Sequence, residues 1–229
     1  MSIATEIERL QNAKASIKAS IENKGVVVGD VTIDNYATKI DEISSGGLDY
    51  KITNWRHLFS QNSRDISLLS ICDDPITLMY AFDNNTEITT LDLRGFDFSK
   101  TTTLASAWNL CTKLKEIITD DGINCINSTD FYYVCYGAIN LEKFVIKFNP
   151  SKITRTSRAF YNANKLATLV LDGDGVFLME KTDVLYGTPI SQGTGYVYVP
   201  DDLVDSYKSA TNWSTYANQI KPLSEYIGG

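Results

Sequence analysis

The sequence predicts an α/β repeat protein: an N-terminal helical, coiled-coil-like segment, then a short leucine-rich-repeat solenoid closed by a C-terminal strand–helix cap. Three observations carry this. The chain opens on a heptad-spaced apolar stripe, one apolar pattern then recurs at a period in the twenties, and the final segment reads as strand, proline and helix.

In the opening segment Ile3, Ile7, Leu10, Ile17 and Ile21 follow steps of four and three, with Lys14 interrupting the stripe. Ser2 can cap the start, Glu6 and Glu8 sit where the helix dipole favours acids, and Gly25 can close the end, so a helix is expected over about residues 3–24. A second helix is expected on Ile33, Tyr36, Ile40 and Ile43, and at about 12 residues it needs a packing partner. Ser44, Ser45, Gly46 and Gly47 form a flexible joint. The expected domains are thus 1–43 for attachment or oligomerisation, 44–49 as linker, and 50–229 as the repeat domain. The stripe Ile3, Ile7, Leu10, Ile17 and Ile21 is read as an oligomerisation seam, with a homotrimer as first choice, because linked weak sites gain roughly 10²- to 10⁴-fold in avidity. The alternative is a core face packed on the second helix.

Beyond the joint, AFDNNTEITTLDL (81–93) recurs as AWNLCTKLKEIIT (107–119), VCYGAINLEKFVI (134–146) and AFYNANKLATLVL (159–171). Ile88, Leu114, Leu141 and Leu166 align with steps of 26, 27 and 25. Such a period marks units that bury their apolar faces on one another, with clear repeats over about 81–190. The alternating end of each unit reads as a strand, and the stretch before it, such as TTTLASAWNLC, as a short helix or turn. GYVYVPDDLVDSYKSATNWSTYANQ supplies the expected cap within 195–226: a strand at 196–199, Pro200, and a helix from about Asp202 carrying Leu203, Val204, Tyr207, Trp213 and Tyr216.

Composition removes several function classes. A net charge of -7 with no basic cluster argues against nucleic acid, and no stretch reaches the roughly 18 apolar residues of a membrane span. The opening MSIATEIERLQ lacks a basic region followed by an apolar run, so the chain is expected to be made in the cytoplasm without a signal peptide. His57 is the sole histidine and no nucleophile or acid–base set declares itself, so no enzyme, cofactor or metal is expected. The stretch LDGDGVF (171–177) lacks the later Glu of a calcium loop and is read as a turn between repeats. Cys72, Cys111, Cys125 and Cys135 form no C-x-x-C pair and are read as small core residues.

Aromatic residues are abundant, with 13 Tyr, 9 Phe and 3 Trp. Phe82, Trp108 and Phe160 share one repeat position and are expected in the core. Tyr132, Tyr133 and Tyr136 cluster and are the candidate binding residues, because tyrosine offers large contact area at low entropic cost and stacks on sugar rings.

LDLRGFDFSKTTTLASAWNLCTKL (91–114) resembles the bacterial surface-protein repeat L-D-L-S-x-F-D-T-S-x-V-T-x-M-x-x-M-F-x-x-C-x-x-L. It matches at Leu91, Asp92, Leu93, Phe96, Asp97, Ser99, Thr102, Cys111 and Leu114, with Leu104 and Trp108 replacing Met and Phe. The closing segment with its Asn212–Trp213 pair resembles the end of BspA-like leucine-rich repeat proteins. The opening resembles the N-terminal segment of tail proteins of phages that infect Firmicutes, at Ile7, Arg9, Leu10, Gln11, Ala13, Lys14, Ile17, Ile21, Lys24, Gly25, Tyr36, Lys39, Ile40 and Ile43. These resemblances imply a virion protein: a host-recognition component of a bacteriophage tail fibre, tail tip or baseplate. It would contact other tail or baseplate proteins through residues 1–43 and bind a host-surface glycan or protein through its repeats. Alternatives are a head-fibre or decoration subunit that binds no receptor, and a bacterial surface adhesin.

Overall fold

The computed structural model describes Gln11, residues 14–19, Glu22, residues 52–62 and residues 66–228. The chain divides into two compact units, Met1–Lys51 and Ile52–Gly229.

The larger unit contains nine short strands among its described residues: β1 (Ile52–Asn54), β2 (Cys72–Thr77), β3 (Thr90–Asp92), β4 (Glu116–Ile118), β5 (Ile123–Asn124), β6 (Lys143–Phe148), β7 (Thr168–Gly173), β8 (Tyr196–Val199) and β9 (Ile220–Pro222). They form three sheets, β1-β2, β3-β4 and β5-β6-β7-β8-β9, and every pairing is parallel. Parallel neighbours require a crossover, and here each crossover is the rest of one repeat. The register Phe144↔Leu169 and Ile146↔Leu171 sets like positions of successive repeats side by side. Phe144, Ile146 and Phe148 alternate inward along β6, the period-two pattern of a strand with one buried face.

On the side opposite the strands each repeat makes two consecutive four-residue turns, not a helix. Leu78–Ala81 and Phe82–Asn85 close with bonds from the amide of the fourth residue to the carbonyl of the first, as do 104–107, 108–111, 131–134, 135–138, 156–159 and 160–163. The third residue of each turn has positive φ: Tyr80, Asn84, Ser106, Leu110, Tyr133, Gly137, Arg158 and Asn162. That is type II turn geometry. Holding an L residue there costs roughly 1–2 kcal/mol, and a second ladder offsets it. The amides of Tyr80, Ser106 and Tyr133 donate to the carbonyls of Ala105, Tyr132 and Ser157 in the next repeat, at 3.0, 2.8 and 3.2 Å.

The core between the two ladders is aromatic. Phe59 stacks on Phe82 at 5.0 Å, Phe82 on Trp108 at 6.3 Å, and Phe144 meets Trp108 and Phe160 edge-on. Phe82, Trp108 and Phe160 are fully buried, as their shared repeat position requires. All four cysteines are buried thiols. Cys111 Sγ donates to the Phe82 carbonyl at 3.0 Å, and burial pushes its pKa up to about 12.

The expected fold class needs correction. In place of a coiled-coil segment followed by a leucine-rich-repeat solenoid with helical turns, the structure is an α/β fold of mostly parallel sheets with few, short helices. A long N-terminal coiled-coil helix is not evident: Gln11, residues 14–19 and Glu22 are helical, and Ile17, the one seam position described, is 40% exposed. Ile3, Ile7, Leu10 and Ile21, the second expected helix and the Ser/Gly joint lie outside the described residues. Double turns also bury residues at intervals of three and four, here Leu104, Trp108 and Cys111, and so imitate a helical pattern. The C-terminal helix is also shorter than expected. It is α1 (Val204–Ser209), and Asn212, at φ 66°, separates it from a 3-10 segment (Trp213–Gln219) that leads into β9, a strand the sequence reading lacked.

Candidate functional site

The turns place two columns of side chains on the outer surface. Residues just before the second positive-φ position of each repeat are Asp83, Asn109, Tyr136, Tyr161 and Tyr186. Asn109 donates to Asp83 at 2.6 Å, and the three tyrosines then stack, Tyr136 on Tyr161 at 5.4 Å and Tyr161 on Tyr186 at 4.9 Å. The residues at the first positive-φ position are Tyr80, Ser106, Tyr133 and Arg158. Tyr133 joins the stack from this column, 4.6 Å from Tyr136 and 3.9 Å from Tyr132. The result is a continuous ladder, Tyr132–Tyr133–Tyr136–Tyr161–Tyr186, across successive repeats.

Two arginines brace it. The Arg155 guanidinium lies 4.0 Å from the Tyr132 ring centre and bonds Asp130 at 3.1 Å. Arg158 donates to the Tyr133 hydroxyl at 3.0 Å, reaches Asp183 at 3.4 Å and lies 5.5 Å from the Tyr161 ring centre. The Tyr133 hydroxyl is held below the usual tyrosine range by the hydrogen bond from Tyr132 and then by the one from Arg158. Tyr132 is raised, because its proton is shared with Tyr133.

Ring faces decide what the ladder can bind. Tyr132 and Tyr136 both stack on Tyr133 but not on each other, so they occupy its two faces. By the same reasoning Tyr136 lies between Tyr133 and Tyr161, and Tyr161 between Tyr136 and Tyr186. Tyr132 lies between Arg155 and Tyr133. Among the described residues Tyr186 has one stacked neighbour, is 57% exposed, and lines a groove of about 690 Å³ together with Asn162, Asn164, Asp183, Gln192 and Tyr216. Asp183 Oδ1 is itself buried and accepts no hydrogen bond from the described residues, while the side chain as a whole is 31% exposed.

The structure therefore brings together the three tyrosines expected to bind, Tyr132, Tyr133 and Tyr136, but their ring faces are already covered. Sequence reasoning missed Tyr186 and the groove. The signal was present in the repeat alignment: VCYGA, AFYNA and VLYGT place Tyr136, Tyr161 and Tyr186 at one position, 25 residues apart. Among the described residues no group of three or more His, Cys, Asp or Glu could hold a metal, and no helix is long and apolar enough to cross a membrane. Comparison with known proteins finds no matching family model, no similar curated protein and no similar solved structure.

Proposed function

We propose that this chain is a non-enzymatic recognition module, the host-recognition component of a bacteriophage tail fibre, tail tip or baseplate, which binds a cell-surface glycan or protein. The observation that supports binding is the tyrosine ladder ending in an open ring above a polar groove. Tyrosines that only filled space would be buried, as Phe82 and Phe160 are, and would not be stacked along the surface. Residues 1–43 serve as the attachment segment in this reading, on the strength of their resemblance to phage tail proteins, and self-association would add avidity to a weak single site.

The test is binding of the fluorescently labelled full chain to intact cells of a panel of Firmicutes strains, read by flow cytometry. Saturable binding to at least one strain is expected, and it falls at least tenfold when Tyr161 and Tyr186 are both changed to Ser. Absence of saturable binding on every strain, or binding that the double variant retains, overturns the proposal.

A further inference from the structure

We propose that the groove at Tyr186 is a saccharide subsite for a neutral pyranose ring bearing free hydroxyls. This inference rests on the recognition reading above and names the chemistry of the ligand. A pyranose has one face rich in C–H groups, which packs on an aromatic ring, and a rim of hydroxyls that both donate and accept. Each half has a counterpart in the groove. The outward face of Tyr186 is the platform, and its other face is fixed by stacking on Tyr161 at 4.9 Å, so the ring is held in place before any ligand arrives. The rim finds polar side chains: Asn162, Asn164, Gln192 and Thr215 line the same groove.

Asp183 narrows the ligand class. One of its carboxylate oxygens accepts from Arg158 Nε at 3.4 Å, and its side chain, 31% exposed, lines the groove. A carboxylate with exposed surface in the groove can accept a charge-assisted hydrogen bond from a ligand hydroxyl. The same carboxylate repels an acidic sugar or a phosphate, and the net charge of -7 acts in the same direction. Arg158, the cation bonded to Asp183, is already committed to the Tyr133 hydroxyl as well. An apolar peptide would leave the groove's side-chain amides unpaired.

The experiment is direct binding of the full chain to immobilised oligosaccharides ending in glucose, galactose, mannose or N-acetylglucosamine, with sialic-acid- and uronate-terminated glycans as comparators. Saturable binding to at least one neutral class is expected. Tyr186→Ala and Asp183→Asn should each weaken it about tenfold or more, the scale of one hydrogen bond to a charged group. Tyr80→Ala, at the far end where Tyr80 stacks on His57, should leave it unchanged. Thermal unfolding of each variant separates lost binding from lost fold. Failure to bind any neutral glycan, preference for the acidic ones, or full binding by both groove variants overturns the inference. A second arm distinguishes its failure from that of the recognition reading. Cell binding that depends on Tyr186 yet survives periodate oxidation of surface sugars and is abolished by protease would leave a receptor-binding module standing and remove the saccharide.

Discussion

Two aromatic clusters in the Ile52–Gly229 unit use the same residue types to opposite ends. At the C-terminus Tyr207, Trp213 and Tyr216 are buried, and each polar atom has a partner. The Tyr207 hydroxyl accepts from Phe177 N at 2.9 Å, Trp213 Nε1 donates to the Phe177 carbonyl at 2.8 Å, and the Tyr216 hydroxyl donates to the Thr182 carbonyl at 2.9 Å. Asn212, in its left-handed conformation, adds a bond to the Met179 carbonyl at 2.7 Å. Together they clasp the irregular chain between β7 and Thr182, whose backbone groups would otherwise be unpaired. The tyrosine ladder is instead half-exposed and paired along its length except at Tyr186. Whether ring faces and polar atoms are already satisfied separates an aromatic that holds the fold from one available to a ligand.

The two clusters differ most in what they contribute to stability. Trp213→Ala should cost about 3–5 kcal/mol, as large buried aromatics do when truncated, while Tyr186→Ala should change stability by no more than about 0.5 kcal/mol, as exposed positions do. Urea unfolding of the two full-length variants beside the wild type measures both. Equal costs would show that Tyr186 is part of the clasped core and would remove the distinction.

A smaller effect is expected where the ladder meets the groove. Gly187 sits at φ +80°, and a Cβ there would come within 2.6 Å of Asn162 Oδ1. Gly187→Ala should therefore cost roughly 1–2 kcal/mol through its left-handed backbone and displace the Asn162 amide. Unfolding and cell-binding measurements on the same sample should show both losses. A variant that is destabilised but binds normally would place Asn162 outside the recognition surface.

How much of this was legible in the sequence depends on what the signal reports. The 26-, 27- and 25-residue spacing marked units that bury their apolar faces on one another, and the structure sets Phe144 beside Leu169 in neighbouring parallel strands. The buried column Phe82, Trp108 and Phe160 was legible for the same reason. The double turns were not, since Tyr80, Ser106, Leu110 and Tyr133 are unusual residues for positive φ, and their conformation is imposed by amides bonded to the next repeat. The tyrosine cluster at 132–136 was legible as a cluster. Which ring face stays open depends on contacts between repeats, and those lie 25 residues away in the chain.

The smallest effect is the most discriminating, because its sign differs between the two clusters. Burial raises the pKa of Tyr207, so its contribution to stability is fully present below the unfolded tyrosine value of about 10 and is lost as pH rises above it. Tyr133 is lowered, by its bonds from Tyr132 and Arg158, so its contribution grows as pH climbs through its own lower range towards about 10. Above that point Tyr132, raised by the shared proton, gives part of the gain back. Unfolding midpoints of wild type, Tyr207→Phe and Tyr133→Phe between about pH 8 and 11 test both signs, because each phenylalanine removes one titration. The Tyr133→Phe deficit should widen on approaching pH 10, and Tyr207→Phe should lose less stability than wild type above about pH 10, the remaining alkaline loss coming from Tyr216 and the buried thiols. If both variants shift the midpoint in the same direction across that window, the buried clasp and the exposed ladder are not electrostatically distinct.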